Sequence, residues 1–163
     1  MTLDGARLAY QAVHLLMLNK PQGVITAATD ARQETVMDLL PPLYRASECM
    51  PVGRLDKMTE GLLLLTNDGT LAHRILHPKR HIDKVYWART DGPLDAGMVA
   101  AFAAGLVLSD FQTLPALLCL DPEDPCQATV IVREGKYHQV RRMFAACGRT
   151  VTELRRLSIG PVA

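Results

Sequence analysis

The run Gly-Leu-Leu-Leu-Leu-Thr at positions 61–66 restricts the fold more than any other stretch of the chain. Successive leucines leave no polar face, so a strand built from them has to be covered on both sides. Asn67-Asp68-Gly69 follows directly, and these residue types supply the left-handed conformations of a tight turn. Residues 15–19 read as a strand that bends at Lys20-Pro21 and Gly23 and resumes over 24–26. Thr35 precedes Val36, Met37, Leu39 and Leu40, a helix of one or two turns that Pro41-Pro42 ends. Residues 50–53 form a second short strand, and a helix runs from Thr70 until Pro78 stops it. A strand over 84–90 comes next, and Asp95 caps a helix that ends near Gly105. Residues 114–120 and 128–134 are strand-like on either side of the acidic Asp-Pro-Glu-Asp-Pro loop. Val140, Met143, Phe144 and Cys147 repeat at helical spacing in a helix closed by Gly148, and a strand over 151–159 finishes the chain. Many strands, few short helices and hairpin-length links predict an α+β fold, a mixed and largely antiparallel sheet flanked by short helices.

At 163 residues the chain has the size of one or at most two compact units and can bury a core without disulfides or metal. No apolar run approaches the roughly 18 residues of a membrane span, and the N-terminal residues lack a secretory pattern, so no membrane partner and a cytoplasmic location are expected. Cys49, Cys119, Cys126 and Cys147 show neither a C-x-x-C pair nor zinc spacing and read as reduced core thiols. His73, His77 and His81 are spaced four apart, but Pro78 interrupts the helix that would align them, so no metal site is expected. The net charge of +1 conceals a gradient: residues 133–156 hold seven Lys/Arg against Glu134 and Glu153, interleaved with Val140, Met143 and Phe144. That pattern suits a polyanion-binding face better than a polar tail does.

Arg54 and Asp56 stand at the mouth of the leucine strand. A carboxylate at a buried edge loses solvation, and a nearby cation is what keeps it charged. Arg54 is one candidate for that cation and the basic helix around Arg141 is the other. Taken alone, Arg54 and Asp56 fit an ordinary surface turn.

The blocks LNKPQG (18–23), VGRLDKMTEGLLLLTNDG (52–69), KVYW (84–87) and EGKYHQVRRMFAACG (134–148), in this order and spacing, resemble the RsuA/RluB/RluE/RluF family of RNA pseudouridine synthases. The resemblance runs from about residue 15 to residue 160. It implies a cofactor-free isomerisation in which the uracil of a chosen uridine leaves C1′, turns and rejoins through C5. It implies that Asp56 is the catalytic aspartate, adding either to C1′ or to the base. Tyr86 is then the tyrosine that stacks on the target base and takes the C5 proton, and Arg141 the basic residue paired with the aspartate. Arg54 would fill the gap left in the RNA or touch its backbone. The chemistry of the residues agrees, because a nucleotide in a stack has to be extruded, and an aromatic ring restores the stacking that is lost.

Further substrate contacts are expected at Lys20, Arg74, Lys84, His138 and Arg142, with Lys20 either touching RNA or bracing the pocket. Removing the charge of Arg149, Arg155 or Arg156 is expected to lower RNA affinity. Within the family the wording is nearest the members acting on 16S ribosomal RNA. The alternatives are a 23S ribosomal RNA target, a non-catalytic RNA-binding domain and, more remotely, a metal hydrolase. The expected partner is ribosomal RNA or a partly assembled ribosomal subunit, with the chain itself a monomer. Most relatives begin with an S4 RNA-binding module of roughly sixty residues. Residues 1–14 read as a linker-like tail of an absent module, and 15–163 as the catalytic domain.

Overall fold

The computed structural model describes residues 13–163, together with the backbone of two short paired strands, β1 (Thr2–Leu3) and β2 (Ala6–Arg7). The linker-like segment read at 1–14 thus lies largely outside the described residues. From Leu15 onward a single mixed sheet organises the chain. Its strands are β3 (Leu15–Lys20), β4 (Met50–Val52), β5 (Glu60–Thr66), β6 (Lys84–Thr90), β7 (Leu117–Leu120), β8 (Gln127–Val132) and β9 (Val151–Ile159). The order across the sheet is β3-β5-β9-β6-β8-β7. All pairings are antiparallel except β5 with β9. β4 and β9 share one edge of β5: β9 meets Glu60 and Gly61, and β4 meets Leu64 to Thr66.

The leucine run forms β5, as expected, and it is covered on both faces. Leu63 and Leu65 enter the main core with Met98 and Phe102 of α3 (Ala96–Ala104) and with Val140, Met143 and Phe144 of α4 (Gln139–Ala146). The rings of Phe102 and Phe144 meet at 5.1 Å, joining the two helices. Leu64 faces the other way, against Val52, Ile159 and the Ala72 and Ile75 side of α2 (Gly69–Leu76). Burying three leucines contributes roughly 5 to 9 kcal/mol before chain entropy is counted.

Three local expectations are corrected. Asn67-Asp68-Gly69 is not a left-handed turn: Asp68 is the N-cap of α2, its carboxylate accepting from the amides of Thr70 and Leu71, and Gly69 opens the helix. Residues 35–40 are turns, not helix, because the Asp38 carboxylate accepts from both the amide and hydroxyl of Thr35 while residue 35 bridges Ile25. The helix there, α1 (Pro42–Arg45), starts instead at a proline, which loses no bond at that position. Of the four free cysteines only Cys49 is buried, and Cys119 is exposed on an edge strand. Among the described residues no helix is long and apolar enough to cross a membrane.

Candidate active site

The loop between β4 and β5, residues 53–59, carries Arg54 and Asp56. Its shape is imposed through its carbonyl groups. The Thr26 hydroxyl donates to the Leu55 carbonyl at 2.8 Å and accepts from the Leu55 amide at 3.2 Å. The Lys20 ammonium donates to the carbonyls of Pro21, Asp56, Lys57 and Thr59. The Gly23 amide donates to Lys57, and the Arg141 guanidinium to Met58 at 3.1 Å. Every carbonyl from Leu55 to Thr59 is therefore held from outside the loop or by its own turn, which fixes where the Asp56 side chain leaves the backbone.

That side chain enters a small open cleft of about 60 Å³ lined by Arg54, Asp56, Thr59, Tyr86, Glu134 and His138 among others. Tyr86 comes from β6, where it is 9% exposed and packed into the main core. Across the cleft, the His138 Nε2 lies 3.4 Å from Asp56 Oδ1. His138 precedes α4 in a left-handed conformation (φ 48°) and makes no capping bond, which leaves its ring turned to the aspartate. Thr59 is buried, and its hydroxyl has no hydrogen-bond partner among the described residues. Its Oγ1 is the kind of group that a bound polar ligand would satisfy.

Several expected site residues sit elsewhere. Arg141 makes no ion pair with Asp56: its guanidinium spans from Met58 to the Val151 carbonyl at 2.8 Å, tying the loop to α4 and β9. Two carbonyl acceptors already on its path take its donors, and the position next to the carboxylate goes to His138. Lys20 is 0% exposed, so it braces the loop and does not touch RNA. Arg142 is paired with Asp110, donates to Ser109 and lies over the Phe111 ring at 5.2 Å. It anchors the 109–111 turn instead of presenting a free charge. Lys84 is half-buried on the Ile82 carbonyl, its ammonium held below the lysine range by burial and then by Arg156. Of the three arginines expected on the RNA face, Arg156 is 3% exposed and bonded to the Leu62 carbonyl, and Arg155 is paired with Glu60. Arg149 donates to the Pro93 carbonyl.

Arg54 and Arg74 are exposed. Arg74 shares a groove with His73, His77, Lys79 and Arg80. Leu76, at the end of the helix that carries Arg74, lies against Gly53 of the cleft loop. Thr26 and Gln139 are site residues that motif reading missed. Gln139 is buried and bridges the Lys136 amide and the Glu134 carboxylate. A buried glutamine at a helix start is a signal only once the helix is known to be packed.

Burial brings the Lys20 ammonium down to about 8, against the opposing pull of Asp56 and Glu60. Between about 8 and the ordinary value of 10.5 the unfolded chain keeps a proton that the fold has released. Stability from this group therefore rises with pH across that window, by about 3 kcal/mol when complete. Lys20→Met removes a donor from four carbonyls, of which only those of Asp56 and Lys57 keep a backbone amide, and is expected to cost about 2 to 4 kcal/mol at neutral pH. Urea unfolding of both proteins at about pH 7 and about pH 10 checks this, and the wild type should gain on the variant as pH rises. Parallel pH profiles would refute it.

The chain matches the model of the RNA pseudouridylate synthase family over residues 14–146. It is 42% identical to the uncharacterized RNA pseudouridine synthase YtzG of Bacillus subtilis, over 100% of this chain and 70% of that protein. It is 40% identical to the ribosomal small subunit pseudouridine synthase A of Salmonella typhimurium, over 98% of this chain and 69% of that one. A solved structure described as a pseudouridylate synthase superimposes with a TM-score of 0.85 at 39% identity, over 93% of this chain and 64% of that one.

Proposed function

Because the chain belongs to the RNA pseudouridylate synthase family, we propose that it isomerises a uridine of small-subunit ribosomal RNA to pseudouridine, with Asp56 and Tyr86 as catalytic residues. The observation that carries the assignment of residues is geometric. A carboxylate on a loop pinned through its carbonyls and a phenol from a separate strand line one cleft beside an unpaired hydroxyl.

The reaction breaks the C1′–N1 bond, forms a C1′–C5 bond, removes the C5 proton and returns a proton to N1, so it balances without a cofactor. Asp56 supplies the nucleophile, to C1′ or to the base, and the pinned loop holds it in place before substrate arrives. Tyr86 offers its ring to the extruded base and its oxygen to the C5 proton. Thr59 Oγ1 is available to a polar edge of the uracil. Arg141 acts through the loop as a positioning residue, and His138 is the group that contacts the free carboxylate. Arg54 and the Arg74 groove receive phosphates, and the protein works as a cytoplasmic monomer.

Tritium release from 5-tritiated uridine in 16S ribosomal RNA transcripts tests the target. Release at one position is expected, and release from 23S transcripts alone would move the target to the large subunit. Tyr86→Phe keeps the ring and removes the oxygen. It is expected to lose about 10²- to 10⁴-fold in kcat with little change in KM. Full turnover in that variant would deny Tyr86 the proton-removing role.

A further inference from the structure

Tyr137 is the only Phe, Tyr or Trp that is exposed among the described residues, at 73%. An aromatic side chain carries a large apolar surface, and the other described aromatic rings are covered at least in part. The Tyr137 ring is not loose. It lies parallel on His138, with centroids 3.9 Å apart and planes 14° apart. His138 in turn contacts the Asp56 carboxylate at 3.4 Å. The backbone beneath is held by the bond from Arg142 to the Tyr137 carbonyl and by the Lys136–Gln139 turn. One face of the phenol is covered by the imidazole.

We infer that Tyr137 is a stacking platform for a nucleobase adjacent to the target uridine, with His138 linking that platform to the catalytic carboxylate. This rests on the function proposed above. Extruding a uridine leaves its neighbours without a stacking partner, and a fixed aromatic face replaces that partner whatever the base. The Tyr137 ring lies directly on the imidazole that touches Asp56. Lys136 and Arg54, beside the same cleft, form no ion pair among the described residues and can meet the adjoining phosphates. Single-stranded RNA uses both the ring and the charge.

The test uses a short single-stranded RNA holding one uridine with 2-aminopurine on its 5′ or its 3′ side. Binding to the wild type and to Tyr137→Phe should quench the fluorophore in one of the two RNAs, and Tyr137→Leu should not. On ribosomal RNA transcripts Tyr137→Leu should raise KM by about 5- to 100-fold and leave kcat within about threefold. Its melting temperature should match the wild type, because the ring is exposed. Equal quenching by wild type and Tyr137→Leu, no quenching by the wild type, or a Tyr137→Phe as weak as Tyr137→Leu would each overturn the platform. Ring-dependent quenching without modification of any ribosomal transcript would support the platform while removing the proposed target. Normal turnover with an unchanged KM in Tyr137→Leu would do the reverse.

Discussion

Replacing Asp56 by alanine is expected to lower pseudouridine formation by about 10³-fold or more while the protein stays folded. The two halves of this expectation have separate causes. The loop that carries Asp56 is held through its carbonyls by Lys20, Thr26, Gly23 and Arg141, and none of these bonds is made to the residue 56 side chain. The carboxylate itself makes one close contact, the 3.4 Å approach to a half-exposed His138. A pair of that kind is worth about 1 kcal/mol or less, so the melting temperature should barely move. Activity and thermal unfolding measured on the same preparation check both halves. Turnover within tenfold of wild type would remove Asp56 from the chemistry, and an unfolded variant would show that the loop depends on the carboxylate after all.

The largest expected effect on stability comes from a single added methyl group. Gly61 has φ 102°, a region side chains rarely adopt. A Cβ built there would lie 2.2 Å from the Arg156 carbonyl oxygen and 2.8 Å from its amide nitrogen. Both are backbone atoms of the neighbouring strand, so no rotamer change relieves the overlap. Gly61→Ala is expected to cost about 4 kcal/mol or more, a fall in melting temperature of about 8 to 16 °C for a chain of this size. Gly69→Ala is the matched control. Nothing lies within 4 Å of a Cβ at Gly69, and that residue opens a helix, so the control should be neutral or slightly stabilising. Thermal unfolding of the pair decides, and similar midpoints would show that β5 and β9 can separate at no cost.

Elements marked by hydrophobic period were legible in the sequence. β6 and β9 have the expected bounds, and α3 lies between an Asp95 N-cap and a Gly105 C-cap, as capping rules require. The turns were less legible, because Asn, Asp and Gly serve a hairpin and a helix start equally well. At 67–69 the outcome depended on what followed: Leu71, Ala72 and Ile75 had a sheet face to cover. For the candidate site, the motif residues Arg54, Asp56 and Tyr86 converge in one cleft. Charge assignments fared worst. Arg141, Arg142 and Arg156 all read as RNA or aspartate partners, yet each donates to carbonyls or a carboxylate within the fold, and Lys20 takes the bracing one of its two expected roles. A cation's sequence position does not tell whether an internal acceptor has already claimed it, and only the packed structure resolves that competition.

Within the sheet, β5 meets β9 through just two residue pairs, Glu60 with Arg155 and Gly61 with Arg156. The strands on one side of this line belong to the leaf that carries Asp56; the strands on the other side belong to the leaf that carries Tyr86. The separation of carboxylate and phenol is therefore governed by the angle at which two leaves meet along a narrow spine, and the Glu60–Arg155 ion pair sits on that spine as a clasp. Opening the clasp would shift the Asp56 and Tyr86 side chains relative to each other while leaving both of them unaltered.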